Sequence, residues 1–382
     1  MSAYLRHRIS ATLMSGLASG LLTVLPPIAQ WGPGPEPSRA AETALVAELG
    51  PRVAGARRPL VLERRTSAGR WREVERVRRR HDDRTVFTAR TRVAGGPATY
   101  RVVAPEWRHL PEVRTPAARA TAWGSPVFLD EFDGAALDWR WQHRVQIHNP
   151  WGGRSCAKGA DAAASVGGGV LRMSVLPDPA ETAASGPCYT YDADGNALGD
   201  VPYAYRVNAN VSTQHSADFR YGVAAARMRF QRARGQHAAF WLQPRGLGYD
   251  TPATWGAEID VVEWFGATPG RDALVSTVYE PAQGEDRARI GGRYRDPDRF
   301  LASRSDSWWR NYHVFSVEWT PDEYVFRIDG LETWRTSAGI SHDPQFLILS
   351  MLSSDHELAA NPDARPEHAY VDWVAFWELP SS

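Results

Sequence analysis

The sequence predicts an all-β protein, a larger sandwich or jelly roll preceded by a smaller β-sandwich. Three observations carry this prediction. Short alternating apolar runs recur from Pro59 to Glu378, each bounded by Gly, Pro, Asp or Ser. No amphipathic helix longer than two turns stands out. The length of 382 residues exceeds one compact domain of usual size, and 43% apolar with 23% charged residues is a globular composition.

Taken in order, the chain opens with Arg6, His7 and Arg8. An apolar, small-residue run follows from Ile9 to Ala29, broken by Pro26 and Pro27. This predicts a secretion signal, cut after Ala29 or near Ala40, and hence an extracellular protein. Left uncut, the run approaches membrane-spanning length. Gln30 to Ala41 is rich in Pro, Gly and Ala, so residues 1–41 read as signal and linker.

The runs Pro59–Arg65, Trp71–Val77, Thr85–Thr91 and Thr99–Val103 predict a small β-sandwich at 43–115. Its pattern loosely resembles the Ig-like accessory modules of actinobacterial exported proteins. From Arg52 to Arg114 there are 17 Arg against 7 acidic residues, although the whole chain is neutral. The cluster Arg78-Arg79-Arg80-His81 suits a polyanion or, more simply, a solvated strand edge kept from aggregating by its charge. No aromatic platform is interleaved with it, which argues against nucleic acid. Lys158 is the only lysine, as in a GC-rich bacterial genome.

Pro111 to Pro126 forms a second linker. A larger unit at 124–380 follows, with strand-like runs at Val170–Val175, Val223–Phe230, Ala238–Leu242, Glu258–Trp264, Leu274–Tyr279, His313–Trp319, Tyr324–Ile328, Phe346–Met351 and Tyr370–Glu378. Cys156 and Cys188 are the only cysteines. Two ligands do not make a zinc site. An exported protein would join them in a disulfide; otherwise they are unpaired thiols.

The stretch Trp255-Gly-Ala-Glu258-Ile-Asp260-Val-Val-Glu263-Trp264 carries the chemistry. Alternation puts Glu258 and Asp260 on one face and would send Glu263 to the other. A β-bulge at Val261–Val262 would bring it back. Three acids on one strand face raise one another's pKa and force proton sharing. Glycosidic bond hydrolysis needs such a set, one ionised carboxylate to attack and one protonated carboxyl to release the leaving oxygen.

Glu-Ile-Asp-Val-Val-Glu resembles the Glu-x-Asp-x-x-Glu motif of glycoside hydrolase family 16. An ordered series of further matches extends across 127–378: Val127-Phe-Leu-Asp-Glu-Phe-Asp-Gly134, Tyr221-Gly222…Ala226-Arg227, Ala239-Phe-Trp-Leu242, Val317-Glu-Trp-Thr-Pro321, Ile328-Asp-Gly330 and Val371-Asp-Trp-Val374. The resemblance implies a concanavalin-like jelly roll with a cleft on one sheet. It implies Glu258 as nucleophile, Glu263 as acid/base and Asp260 as the group that balances the proton between them. It also implies a retaining, endo-acting hydrolase of a β-linked glucan or galactan, with no cofactor in catalysis. A transglycosylase on the same triad and a non-catalytic lectin-like protein are the competing functions, and a monomer is expected.

Trp255, Trp241, Trp264 and Trp308 are candidate sugar platforms, whereas Trp319 and Trp373 suit the core. His237 is placed to bind a sugar hydroxyl, to tune Glu263, or to serve structure alone. Arg206 and Asn208 lie where the family places donors to sugar hydroxyls. Glu131 and Asp372 resemble residues near a structural calcium, with surface ion pairs as the simpler alternative. His237-Ala238 stand where the family's β-1,3-glucanases have Trp-Pro, and Ser276-Thr-Val-Tyr279 lacks their usual His. These departures leave the polysaccharide open.

Overall fold

The computed structural model describes residues 20–380 apart from 31–33, 38–41, 51–57, 79–83, 94–95, 145, 149–152, 193, 246–255, 268–272, 281–287, 362–364 and 366. Among the described residues the fold is almost wholly β.

The smaller unit consists of two facing sheets. One runs Gly20–Ala29, Glu42–Leu49, Arg84–Ala89. The other runs Ala118–Arg119, Thr99–Ala104, Pro59–Arg65, Trp71–Arg78. Leu45, Leu60, Leu62, Phe87, Tyr100 and Val102 fill the space between them. Trp71–Arg78 is an edge strand whose Arg72, Glu73, Glu75, Arg76 and Arg78 are exposed, which fits the solvated-edge alternative. Arg79, Arg80 and His81 lie outside the described residues.

The N-terminal boundary differs from the expectation. Gly20–Ala29, assigned from sequence to a signal, is a strand of this unit, paired with Glu42–Leu49. Pro26 and Pro27 sit where its register shifts, and it is an edge strand, where a missing N–H is tolerated. Leu22 and Val24 pack on the small core. Leu25, Ile28 and Ala29 pack the other way, against Val223, Ala225, Trp373, Ala375 and Trp377 of the larger unit. A strand buried on both faces reads as a continuous apolar run, which is also how a leader reads.

The larger unit is a β-jelly roll of two sheets. The front sheet runs Arg289–Arg293, Leu274–Tyr279, Glu258–Trp264, His237–Pro244, Gln345–Leu352, Arg206–Ser212. The back sheet runs His368–Glu378, Gly222–Arg229, His313–Trp319, Tyr324–Ile328, Leu331–Thr336. Val170–Pro177 joins them: Leu171–Ser174 pair with the back sheet and Val175–Pro177 with the front. Met173, Phe240, Leu242, Ile259, Phe315, Trp319, Leu347 and Leu349 belong to the core between the sheets.

The back sheet's outer face is the seam with the small unit. Trp373 is buried in that seam rather than in the jelly-roll interior. The Asp329-Gly330 turn has positive φ at both positions, 49° and 81°, as a tight two-residue hairpin requires. A Cβ on Gly330 would come within 2.9 Å of Ala44 Cβ, so the hairpin tip rests on the small unit.

Asp372 does not pair with a cation site. It sits at a register shift in the back sheet, buried, and Arg227 Nη1 lies 2.6 Å from its Oδ2. The charge opposite Asp372 is thus a guanidinium. No group of three or more His, Cys, Asp or Glu suited to a metal occurs among the described residues, and Glu131 joins none. Cys156 and Cys188 form a disulfide with Cα atoms 5.6 Å apart.

Candidate active site

Side-chain parity sets the site. On His237–Pro244, Ala238, Phe240 and Leu242 are core residues, so His237, Ala239, Trp241 and Gln243 take the outer face of the front sheet. On Glu258–Trp264, Ile259, Val261, Val262 and Trp264 all join the core. Two consecutive valines can do so only if alternation breaks between them.

The register shows the break. Asp260 pairs with Trp241 and Glu263 with Ala239, so the acidic strand takes one residue more than its partner. The same shift occurs on the other side, where Asp260 pairs with Thr277 and Glu263 with Val275. The bulge lies at Val261–Val262, where the sequence required it. Glu258, Asp260 and Glu263 therefore share the outer face.

Each acid has its own surroundings. Gln243 Nε2 donates to Glu258 Oε2 at 2.7 Å, and Arg144 Nη2 donates to Gln243 Oε1 at 3.0 Å. That relay fixes the amide orientation of Gln243 and sets a guanidinium behind it. Burial holds the Asp260 carboxyl well above the usual carboxylate range, and the charges of Glu263 and Glu258 push it the same way. Burial also raises Glu263; His237 and Arg289 oppose this, while Glu258 and Glu357 add to it. Asp260 and Glu263 can thus hold protons that an exposed acid would lose. Such a face can offer an ionised carboxylate, a proton donor and a third acid between them.

The chain is similar to known proteins. A family model described as glycosyl hydrolases family 16 matches residues 190–374. A beta-glucanase of Rhodothermus marinus is 30% identical over 274 residues, covering 65% of this chain and 83% of that protein. The chain belongs to glycosyl hydrolases family 16.

Family 16 membership places it among the glycosidases, which hydrolyse O-glycosyl bonds. Glucan endo-1,3-beta-glucosidase A1 of Niallia circulans is 23% identical over 292 residues, covering 70% of this chain but 39% of that longer protein. The catalytic domain of an endo-1,3-beta-glucanase (laminarinase) from Thermotoga petrophila shares the fold, with a TM-score of 0.52 at 22% identity, covering 67% of this chain and 98% of that one. These relatives come from bacteria outside the actinobacterial group that the N-terminal pattern suggested.

The remaining candidate residues of this family 16 member divide. Trp241 is partly exposed on the outer face, its Nε1 donating to Ser350 Oγ at 3.1 Å and Arg144 lying 5.2 Å from its ring. Arg206 and Asn208 lie on the outer face of the last front strand, as Ala209 and Val211 point to the core. Asn208 is fully buried, and neither amide atom has a protein partner among the described residues. His237 is buried beside Glu263, with Nδ1 2.9 Å from Glu357 Oε2.

Two platforms are corrected. Trp264 is 2% exposed and its Nε1 donates into the core to Gln231 O; Glu263 faces outward, so its neighbour must face inward. Trp308 is fully buried with Nε1 donating to Asp298 Oδ1. Neither can stack on a sugar. Trp255 lies outside the described residues.

Arg144, Gln243, Tyr279 and Glu357 were not found from the sequence. Gln243 had a signal, since it is two residues from Trp241 and shares its face. Tyr279 pairs with Glu258 from the next strand, and Glu357 comes from a short helix at Asp355–Ala360. Nothing local marks either.

Proposed function

We propose that this chain is an exported endo-acting β-glucan hydrolase that retains anomeric configuration, with Glu258 as nucleophile and Glu263 as acid/base. The observation that carries the reading is the Val261–Val262 bulge, which puts three acids on the outer face of the front sheet. The names of the relatives, a beta-glucanase and a glucan endo-1,3-beta-glucosidase, favour glucan over galactan.

In the first step Glu258 attacks the anomeric carbon while Glu263 gives its proton to the departing glycosidic oxygen. In the second, Glu263 takes a proton from water, whose oxygen displaces Glu258 from the sugar. Burial and its two acidic neighbours favour the proton on Asp260, and when it holds that proton it can donate a hydrogen bond to whichever glutamate is ionised. Trp241 supplies an aromatic surface beside the acids.

The disulfide and the leader-like start support export. On this reading any cut falls upstream of Gly20, since losing Leu25, Ile28 and Ala29 would bare Trp373 and Trp377.

Reducing-end release from laminarin tests the activity. Glu258→Gln and Glu263→Gln should each lose it while unfolding like the parent protein. Azide added to Glu258→Ala should yield the inverted glycosyl azide. Turnover in either glutamine variant, or a retained azide product, would overturn the assignment. Redistribution of chain lengths without new reducing ends would identify a transglycosylase.

A further inference from the structure

We propose that His237 and Glu357 form a charge-holding pair whose imidazolium positions and tempers the proton of Glu263. The inference rests on the acid/base role given to Glu263 above.

The geometry comes first. His237 is buried at the outer face, two residues along its strand from Ala239, which pairs directly with Glu263. It is therefore the diagonal cross-strand neighbour of Glu263 on the same face. Its ring stacks on Phe265 with centroids 5.0 Å apart, which fixes the ring plane. Nδ1 meets Glu357 Oε2 at 2.9 Å. Glu357 cannot swing away, because the same Oε2 accepts from the Ser354 backbone N–H at 2.9 Å in a capping box that starts the Asp355–Ala360 helix. A hydrogen-bonded carboxylate on Nδ1 commits the proton there and aims the other ring nitrogen elsewhere.

The charges agree. His237 faces Glu357 from the helix, Glu263 from the acidic strand and Arg154 from the Gly153–Ser155 loop. Burial works against its proton, but Glu357 and Glu263 together hold it above the ordinary histidine range. Glu357 is lowered despite burial, by His237 and the two Ser354 bonds. Glu263 faces His237 and Arg289 as cations, with Glu258, Glu357, Asp260 and the phenol of Tyr279 also in range.

The chemistry explains the need. Glu263 must be protonated in one half-reaction and ionised in the next. Burial beside Glu258 and Asp260 favours only the first state. A fixed cation one strand away restores the second. The cation stands at His237, and the carboxylate that holds it, Glu357, comes over a hundred residues later in the chain. His237 and Glu357 are positioning residues here, as neither needs to touch the sugar.

The test is the pH profile of kcat/KM on laminarin, measured for the parent, His237→Gln and Glu357→Gln. Both variants should shift the basic limb upward, by roughly half a pH unit or more, with the double variant no further displaced than the larger single one. The His237 imidazole, followed by NMR, should titrate above its ordinary range in the parent and fall in Glu357→Gln. A helix anchor alone would lower thermal stability in Glu357→Gln and leave both the limb and the imidazole titration unmoved, and that result would overturn the proposal. Failure of the underlying acid/base role is read separately, as turnover surviving in Glu263→Gln.

Discussion

Val261 and Val262 are consecutive residues that bury their side chains on the same side of the acidic strand. Their shared direction decides where Glu263 points. Removing Val262 would restore strict alternation, Glu-Ile-Asp-Val-Glu, and keep all three acids outward. Inserting one valine after Val262 would also restore alternation, but would carry the Glu263 carboxyl two residues, roughly 6–7 Å, further along the strand from Glu258. The deletion should retain measurable turnover with some loss of stability. The insertion should lose at least about a thousandfold in kcat/KM, because the proton donor is carried out of reach of the bond that Glu258 attacks. Paired activity and thermal unfolding measurements separate the two.

Trp241 offers the described outer face an aromatic surface, steadied by Ser350 and overlain by Arg144. Replacing it with alanine should raise KM about 5- to 30-fold, the equivalent of about 1–2 kcal/mol of ring contact. Phenylalanine should recover most of that. Initial rates over a substrate series check it, and an unchanged KM in Trp241→Ala would remove the platform role.

Leu25 and Ile28 are 1% and 0% exposed in the seam between the two units. Leu25→Ala should cost about 2–5 kcal/mol of seam stability. A chain starting at Gln30 should expose Trp373 and Trp377, bind a hydrophobic dye and unfold at lower temperature than a chain starting at Gly20. Equal melting of those two chains would show that the strand is dispensable. The N-terminus of exported protein, read by mass spectrometry, should lie at or before Gly20.

His313 is buried between Asp329, 2.8 Å from Nδ1, and Asp306, 3.3 Å from Nε2. Burial opposes its charge, yet the two carboxylates hold its pKa up at about 9. A folded value above the unfolded one means that the stabilisation is complete below about pH 6.5 and is lost as pH rises through about 9. The amount is roughly 3 kcal/mol. Denaturant midpoints from pH 6 to 10 should fall for the parent and change less for His313→Gln.

Alternation, applied to one acidic stretch, locates the chemistry: it demands a kink at Val261–Val262, and the register shift is there. It equally implies that Trp264, next to Glu263, turns inward, although the flat indole ring suits a sugar platform when taken by itself. The Cys156–Cys188 pair was legible because two thiols leave one intramolecular pairing. Gly20–Ala29 was not legible, because an apolar run has the same composition whether it enters a translocon or is buried on both faces.

By itself the sequence determined the β-rich architecture, the acidic strand and the need for its bulge, since these follow from periods of two and from charges a few residues apart. Only the tertiary structure decided what meets that strand from afar: Glu357 behind His237, Arg144 behind Gln243, Arg227 against Asp372. Those partners lie roughly 100 residues or more apart in the chain, and their pairing depends on how the sheets stack and on where a short helix begins. Local periodicity carries no record of either.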